Sequence, residues 1–302
     1  MTGSWTPQRE GALFRQDGDL LVPGPLTRGP WYHGTLHGSA MLAPIARAAE
    51  RHPSEVERQV VRLTVDMMRA APMAPLRVET TTVRSGKSID FVDVAMYADD
   101  ELCVRGSALR MRVADLVVDE PDDAPPPPPP PADGPAGVSP FAARPGSEEP
   151  AFHHAIDVHV DVDAEVVWFR LAVPLVEGEE NTGTVAVAAV ADWTYAVPHL
   201  LRGARGDDRR PGRAVHAINA DTTINAFRPL SGGWVGLRTT AHTGSTGAGT
   251  SGAHLYDAPP DRSASARRAC WSGVPAARRC RSKRCKGTGP CASPPASVTP
   301  TG

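Results

Sequence analysis

The chain has 302 residues, 41% apolar and 22% charged, with a formal net charge of −2; that length accommodates two domains of about 100–150 residues, and the balance is that of a globular protein. No run of about 18 apolar residues offers a membrane-spanning helix. The opening MTGSWTPQREGALF lacks a basic stretch followed by an apolar one, so no secretory signal is expected and the cytoplasm is the expected compartment. Residues 259–302 hold seven Arg and two Lys against the single acid Asp261, which leaves the first 258 residues at about −10, a field that argues against nucleic acid as a partner.

In chain order, residues 36–51 (LHGSAMLAPIARAAER) place Met41, Leu42, Ile45, Ala48 and Ala49 on one helical face. Pro44 falls in the first turns, where a lost hydrogen bond matters least. Residues 59–67, 76–84, 89–97 and 102–113 alternate with period two and are rich in Val, Thr and Ile, separated by short polar turns at 85–88 and 98–101. These are four antiparallel strands, and a helix that cannot bury itself alone lies across their sheet. Residues 119–150 form a linker with seven consecutive prolines, 125–131. Proline has no amide hydrogen and a fixed φ, so the stretch is expected to be an extended, solvated spacer rather than an SH3-type ligand.

After the linker the order returns. Residues 153–162 and 166–175 read as strands, 183–201 as an Ala- and Val-rich helix, and 214–228, 234–242 and 250–256 as strands. The expected domains are 12–118 and 151–258, both α+β, each a central helix wrapped by an antiparallel sheet. The Gly-rich run 244–252 precedes a strand and carries no following Lys, so it is a hairpin turn and not a phosphate loop. His153, His154 and His159 have no carboxylate cluster beside them and read as surface or core residues. Four of the five cysteines lie in the tail without paired C-x-x-C spacing or a histidine, so no metal site is expected.

Two places carry chemical weight. Residues 29–39 (GPWYHGTLHGS) precede the first helix with small residues, whose free first amides, at the positive end of the helix dipole, can hold a carbonyl oxygen that gains negative charge. The alternative there is a turn with Ser39 as N-cap. Residues 189–195 (AVADWTY) set Asp192 among apolar neighbours, with Asn219 and Thr223 on the next strand. An acid so placed needs a partner. It either orients a water molecule and takes its proton, or merely caps a turn.

At this point the residues resemble a known family. G-P-W-x-x-G-x-x-H-G-S-A followed by a helix, then L-T-V-D-x-x-R-x-x-P-x-x-P-L-R-V, is similar to the actinobacterial acyl-CoA thioesterase-like proteins, single chains with two hotdog domains related to thioesterase II. The family's usual H-G-G has Ser39 at its second glycine here. A-D-W-T-Y resembles the family's A-S-D motif, whose aspartate maps onto Asp192. The following N-A-D-T-T-I-N-A-F-R-P resembles the strand ending in H-R-P, whose threonine position maps onto Asn219. The resemblance implies a tandem double hotdog that hydrolyses acyl-CoA to free acid and CoA without metal or redox cofactor. Asp192 and Asn219 would be catalytic, and His37, Gly38, Ser39 and Thr222 would bind substrate. It implies a small-molecule partner, no nucleic acid and no membrane, and leaves a homo-oligomer open.

Three departures favour the alternative of a non-catalytic acyl-CoA binder: Ser39, Asn219, and the lack of a candidate for the family's glutamine on the last strand. A hydratase on the same fold needs an Asp/His pair near the central helix, and the sequence shows His37 with no nearby Asp. After Asp257 period-two alternation stops, and residues 259–302 read as a disordered basic tail in place of the last strand. One explanation is a shifted reading frame. Residues 269–272 (ACWS) require GCN-TGY-TGG-TCN, which two bases on reads Leu/Met/Val-Leu-Val, an apolar strand. A genuine basic tail is the other. Without a last strand, reduced stability and a weakened site are expected.

Overall fold

The computed structural model describes residues 11–30, 34–114, 128–131, 149–207, 216–258 and 267–278, with only the backbone at 216–217 and 267–278. Most of the proline linker therefore lies outside the described residues.

A hairpin absent from the sequence reading comes first, β1 (Phe14–Asp17) and β2 (Leu20–Pro23). Its strands are four residues long, too short for alternation to register. Helix α1 (Gly38–Arg51) follows, then the four expected strands β3 (Arg58–Met67), β4 (Leu76–Ser85), β5 (Ile89–Ala98) and β6 (Glu101–Arg112). Pro44 stands inside α1 rather than at its start. Along β5 every second residue is buried, Asp90 to Ala98, and this inner face packs on α1. Gly106 on β6 lets the helix approach, since a Cβ there would lie 2.5 Å from Ile45 Cγ2.

The second half runs β7 (Ile156–Asp161), β8 (Val166–Leu171), helices α2 (Gly183–Ala191) and α3 (Val197–Ala204), then β9 (His216–Asn225), β10 (Trp234–Thr243), β11 (Gly249–Ala258) and β12 (Arg267–Arg278). The strand expected from 153 begins instead with a 3-10 turn, Phe152–His154. The helix expected over 183–201 is broken by a 3-10 turn, Asp192–Tyr195, so Asp192 stands at a change of helix type. The Gly-rich run closes the β10–β11 hairpin, as expected.

The strand order is β1-β2-β4-β5-β6-β3-β9-β12-β11-β10-β8-β7. It reads the same from either end once each strand is exchanged for its counterpart, β1 for β7 through to β6 for β12. The chain is therefore two hotdogs fused into one twelve-stranded antiparallel sheet, joined where β3 pairs with β9. The expected end of the second domain at 258 is corrected by this order. β12 lies between β9 and β11, bonded to both, in the position of β6 in the first half. Sheet closure supplies partners to backbone groups that would otherwise be buried and unpaired, a demand independent of side-chain pattern. Pro275, which has no amide to donate, sits at the register irregularity of this strand.

α1 and α2 pack against each other at the centre. α2 is apolar all round (GTVAVAAVA) and nearly every residue of it is buried, as a helix enclosed on all sides requires. Beside it Arg47 donates to Glu179 at 2.8 and 2.6 Å, and Glu50 accepts from Thr182 and Thr184 at 2.6 and 2.9 Å, tying the end of α1 to the start of α2. Among the described residues no helix is long and apolar enough to cross a membrane.

Candidate active site

The pairing of the two helices brings the beginning of α1 onto the end of α2. Leu36 and His37 are anchored by their amides, to Ala71 O and Thr27 O at 2.9 Å each. His37, in extended conformation, is the N-cap of α1, and its Nδ1 accepts from the Ser39 amide at 3.1 Å. This corrects the reading of Ser39 as the cap. Ser39 is wholly buried, and its hydroxyl has no partner among the described residues. By position the Gly38 and Ala40 amides have no acceptor within the helix. Residues 31–33 of the motif lie outside the described residues.

Asp192 reaches this point from the end of α2. Its Oδ2 lies 3.4 Å from His37 Nδ1, and the two side chains are 12% and 13% exposed. Its Oδ1 accepts from Asn219 Nδ2 at 2.8 Å. Gly38 is pressed under the carboxylate: a Cβ there would clash with Oδ2 and lie 2.6 Å from Cγ and 2.8 Å from Oδ1. Only glycine leaves that space.

Asn219 reaches Asp192 because β9 bulges. Val274 faces Asp221 and Pro275 faces Asn219, so Ala220 has no counterpart on β12. The extra residue turns Asn219 onto the face of the buried Thr222, whose Oγ1 also accepts from Asn219 Nδ2 at 3.3 Å. Strand parity alone would put residues 219 and 222 on opposite faces. Thr223, weighed beside Asn219 in the sequence, instead bonds Thr64 of the first half.

The structure thus unites Asp192, Asn219, Thr222, His37 and Gly38, with Ser39 buried behind them. Two aromatic neighbours gave no sequence signal. The His37 ring stacks on Phe152 (centroids 4.7 Å apart, 14° between planes) and on Trp193 (5.4 Å, 21°). Burial pushes the His37 imidazolium below the usual histidine range, partly opposed by the charge of Asp192. The expectation that His37 has no nearby acid is corrected, because contact between residues 155 positions apart depends on how α1 and α2 dock. Among the described residues no cluster of three or more His, Cys, Asp or Glu could hold a metal. The glutamine looked for on the last strand is not among the residues of β12.

The fold is shared with solved structures of low sequence identity. The acyl-CoA thioesterase II TesB2 from Mycobacterium marinum superposes with a TM-score of 0.57 at 13% identity, covering 89% of this chain and 96% of that one. The TesB protein from Mycobacterium avium subspecies paratuberculosis gives 0.56 at 12%, covering 88% and 96%. A conserved hot dog protein from Alicyclobacillus acidocaldarius gives 0.62 at 18%, covering 89% and 96%. No curated protein matches by sequence. The sequence pattern of the acyl-CoA thioesterase N-terminal domain matches residues 27–111, and that of the acyl-CoA thioesterase C-terminal domain matches 121–268. The chain belongs to the acyl-CoA thioesterase family, carrying its N- and C-terminal domains in one polypeptide.

Proposed function

We propose that this chain hydrolyses acyl-CoA thioesters to the free acid and CoA, with Asp192 as the base. The observation that carries the reading is a nearly buried carboxylate clamped by Asn219 and lying at the start of α1. Asp192 takes a proton from water as the oxygen attacks the thioester carbonyl. The Gly38 amide, at the start of α1, is the donor set for the oxyanion, favoured by the helix dipole. Collapse of the tetrahedral adduct breaks the carbon–sulfur bond, and the thiolate leaves with the proton that Asp192 held. Asn219 keeps the acid oriented. Ser39 N–H is already bonded to His37, so the amide expected there to bind substrate gives way to that of Gly38.

The test compares wild type with Asp192→Ala over a series of acyl chain lengths. Positioned general bases contribute roughly 10²–10⁴-fold, and a loss of that order is expected. Equal rates remove Asp192 from the mechanism. Undiminished binding of acyl-CoA with no turnover by wild type selects the non-catalytic binder instead. A second reading, hydration of an α,β-unsaturated thioester, is favoured by the 3.4 Å separation of His37 and Asp192, since that reaction needs both a base for water and an acid for the carbon. Loss of the enoyl chromophore without release of free thiol would select it.

A further inference from the structure

The imidazole of His37 is better placed than its role as a helix cap requires. Ser, Thr, Asp and Asn cap helices well, and a cation at a helix N-terminus opposes the dipole. Yet His37 stands there with its ring packed on both Phe152 and Trp193. Its Nδ1 lies between a donor, the Ser39 amide at 3.1 Å, and an acceptor, Asp192 Oδ2 at 3.4 Å. A nitrogen so placed has two states. Unprotonated, it accepts from Ser39. Protonated, it turns donor towards Asp192. Asn219 holds the opposite carboxylate oxygen, which restrains the rotation of Asp192.

We infer that His37 is a positioning residue that acts through Asp192, taking up at Nδ1 the proton that Asp192 removes from water and returning it for the leaving thiolate. The inference rests on Asp192 being the base. Before attack the pair is a neutral imidazole and a carboxylate. After it the pair holds one more proton, as imidazolium and carboxylate. The departing sulfur takes that proton, which restores the first state. Burial keeps the ring neutral before attack. Asp192 is the charged group set against it. The 3-10 turn beside it contributes the Phe152 ring, while His154 of that turn accepts from the Ala151 amide. Strand β9 contributes the uncharged Asn219, and nearby Arg28 is paired with Glu149.

The test uses His37→Asn, whose Oδ1 can still accept from the Ser39 amide and so keeps the cap, but which cannot hold a proton. The expected result is a fall in kcat of tenfold or more with KM within twofold. The acid limb of the kcat profile should also move to lower pH, because the imidazole that takes up a proton there is gone. A fall in kcat with the limb unmoved, or an unaltered kcat, overturns the proposal. A second measurement does not depend on turnover: the imidazole of His37 is titrated by NMR in wild type and Asp192→Asn. Loss of the carboxylate should lower the His37 midpoint further below 6.5. An unchanged midpoint shows that the two groups are not coupled. A coupled midpoint with no thioester hydrolysis by either protein would instead point to failure of the Asp192 hydrolase reading.

Discussion

Gly38 shows how little room the site leaves around its acid. A Cβ at 38 would clash with the carboxylate of Asp192, so Gly38→Ala must displace it. Misplacement of a catalytic group by about 1 Å can lower a rate roughly 10²-fold, and a kcat reduced by that order is expected. Circular dichroism and melting temperature should stay close to wild type, because the first turn of α1 has helical geometry that alanine adopts. Steady-state kinetics beside a thermal melt checks both. At this scale Asp192 and Asn219 were legible as partners, because an acid in an apolar run demands a donor and the next strand offered one. His37 as the neighbour of Asp192 was not, nor was the bulge at Ala220. Both depend on contacts between distant segments that leave no periodic trace.

The elements were largely legible because alternation and helical periodicity record which face is buried. The inward row of β5 even includes an acid, Asp90, between the turn and Val92. Its partner is the buried Arg110 on β6, which donates from Nε and Nη2 to Asp90 at 3.0 and 2.8 Å. The same guanidinium donates from Nη1 to Ala49 O and His52 O at 3.3 and 2.6 Å, capping the carbonyl end of α1. Arg58 Nε also lies 3.1 Å from Asp90. Arg110→Met removes a buried partner and uncaps the helix, with an expected loss of about 3–5 kcal/mol. Chemical denaturation measures it. A loss below about 1 kcal/mol would show that Arg58 alone satisfies Asp90. The hairpin β1–β2 and strand β12 escaped the sequence reading for different reasons. The hairpin is too short to show a period. The residues 267–278 carry arginines and a proline that argue against a central strand, and the match to the acyl-CoA thioesterase C-terminal domain ends at residue 268.

Across the whole molecule the two halves are joined by the β3–β9 pair, by α1 against α2, and by Glu179. Hydrogen bonds from Arg47, followed by its charge and the contacts of Arg51, hold the Glu179 carboxyl below the usual range, although burial opposes them. A carboxylate lowered in the folded state contributes stability that is present above its unfolded value, 4.5, and lost as pH falls through the folded one. His37 acts at higher pH. Its folded value is also below its unfolded one, 6.5, so stability declines as pH drops below 6.5 and this group's contribution levels off beneath the folded value. The melting temperature should therefore fall in two stages on acidification. Glu179→Gln should flatten the second stage, below 4.5, and leave the first. Melting curves between pH 3 and 8 check this; an unchanged second stage would assign it to other carboxylates.

The order and type of most elements, the inward faces of the strands, the doubling of one helix-and-sheet plan and the need of Asp192 for a partner all follow from local pattern. Each depends on periodicity or on an apolar setting that a one-dimensional reading contains. The tertiary structure alone decided that the two sheets fuse through β3 and β9, that β12 completes the second one, and that antiparallel docking of α1 on α2 sets His37 against Asp192. Those outcomes come from pairing backbone edges and packing helices between separate segments of the chain, where the energy lies in the joint arrangement of both partners and in neither segment by itself.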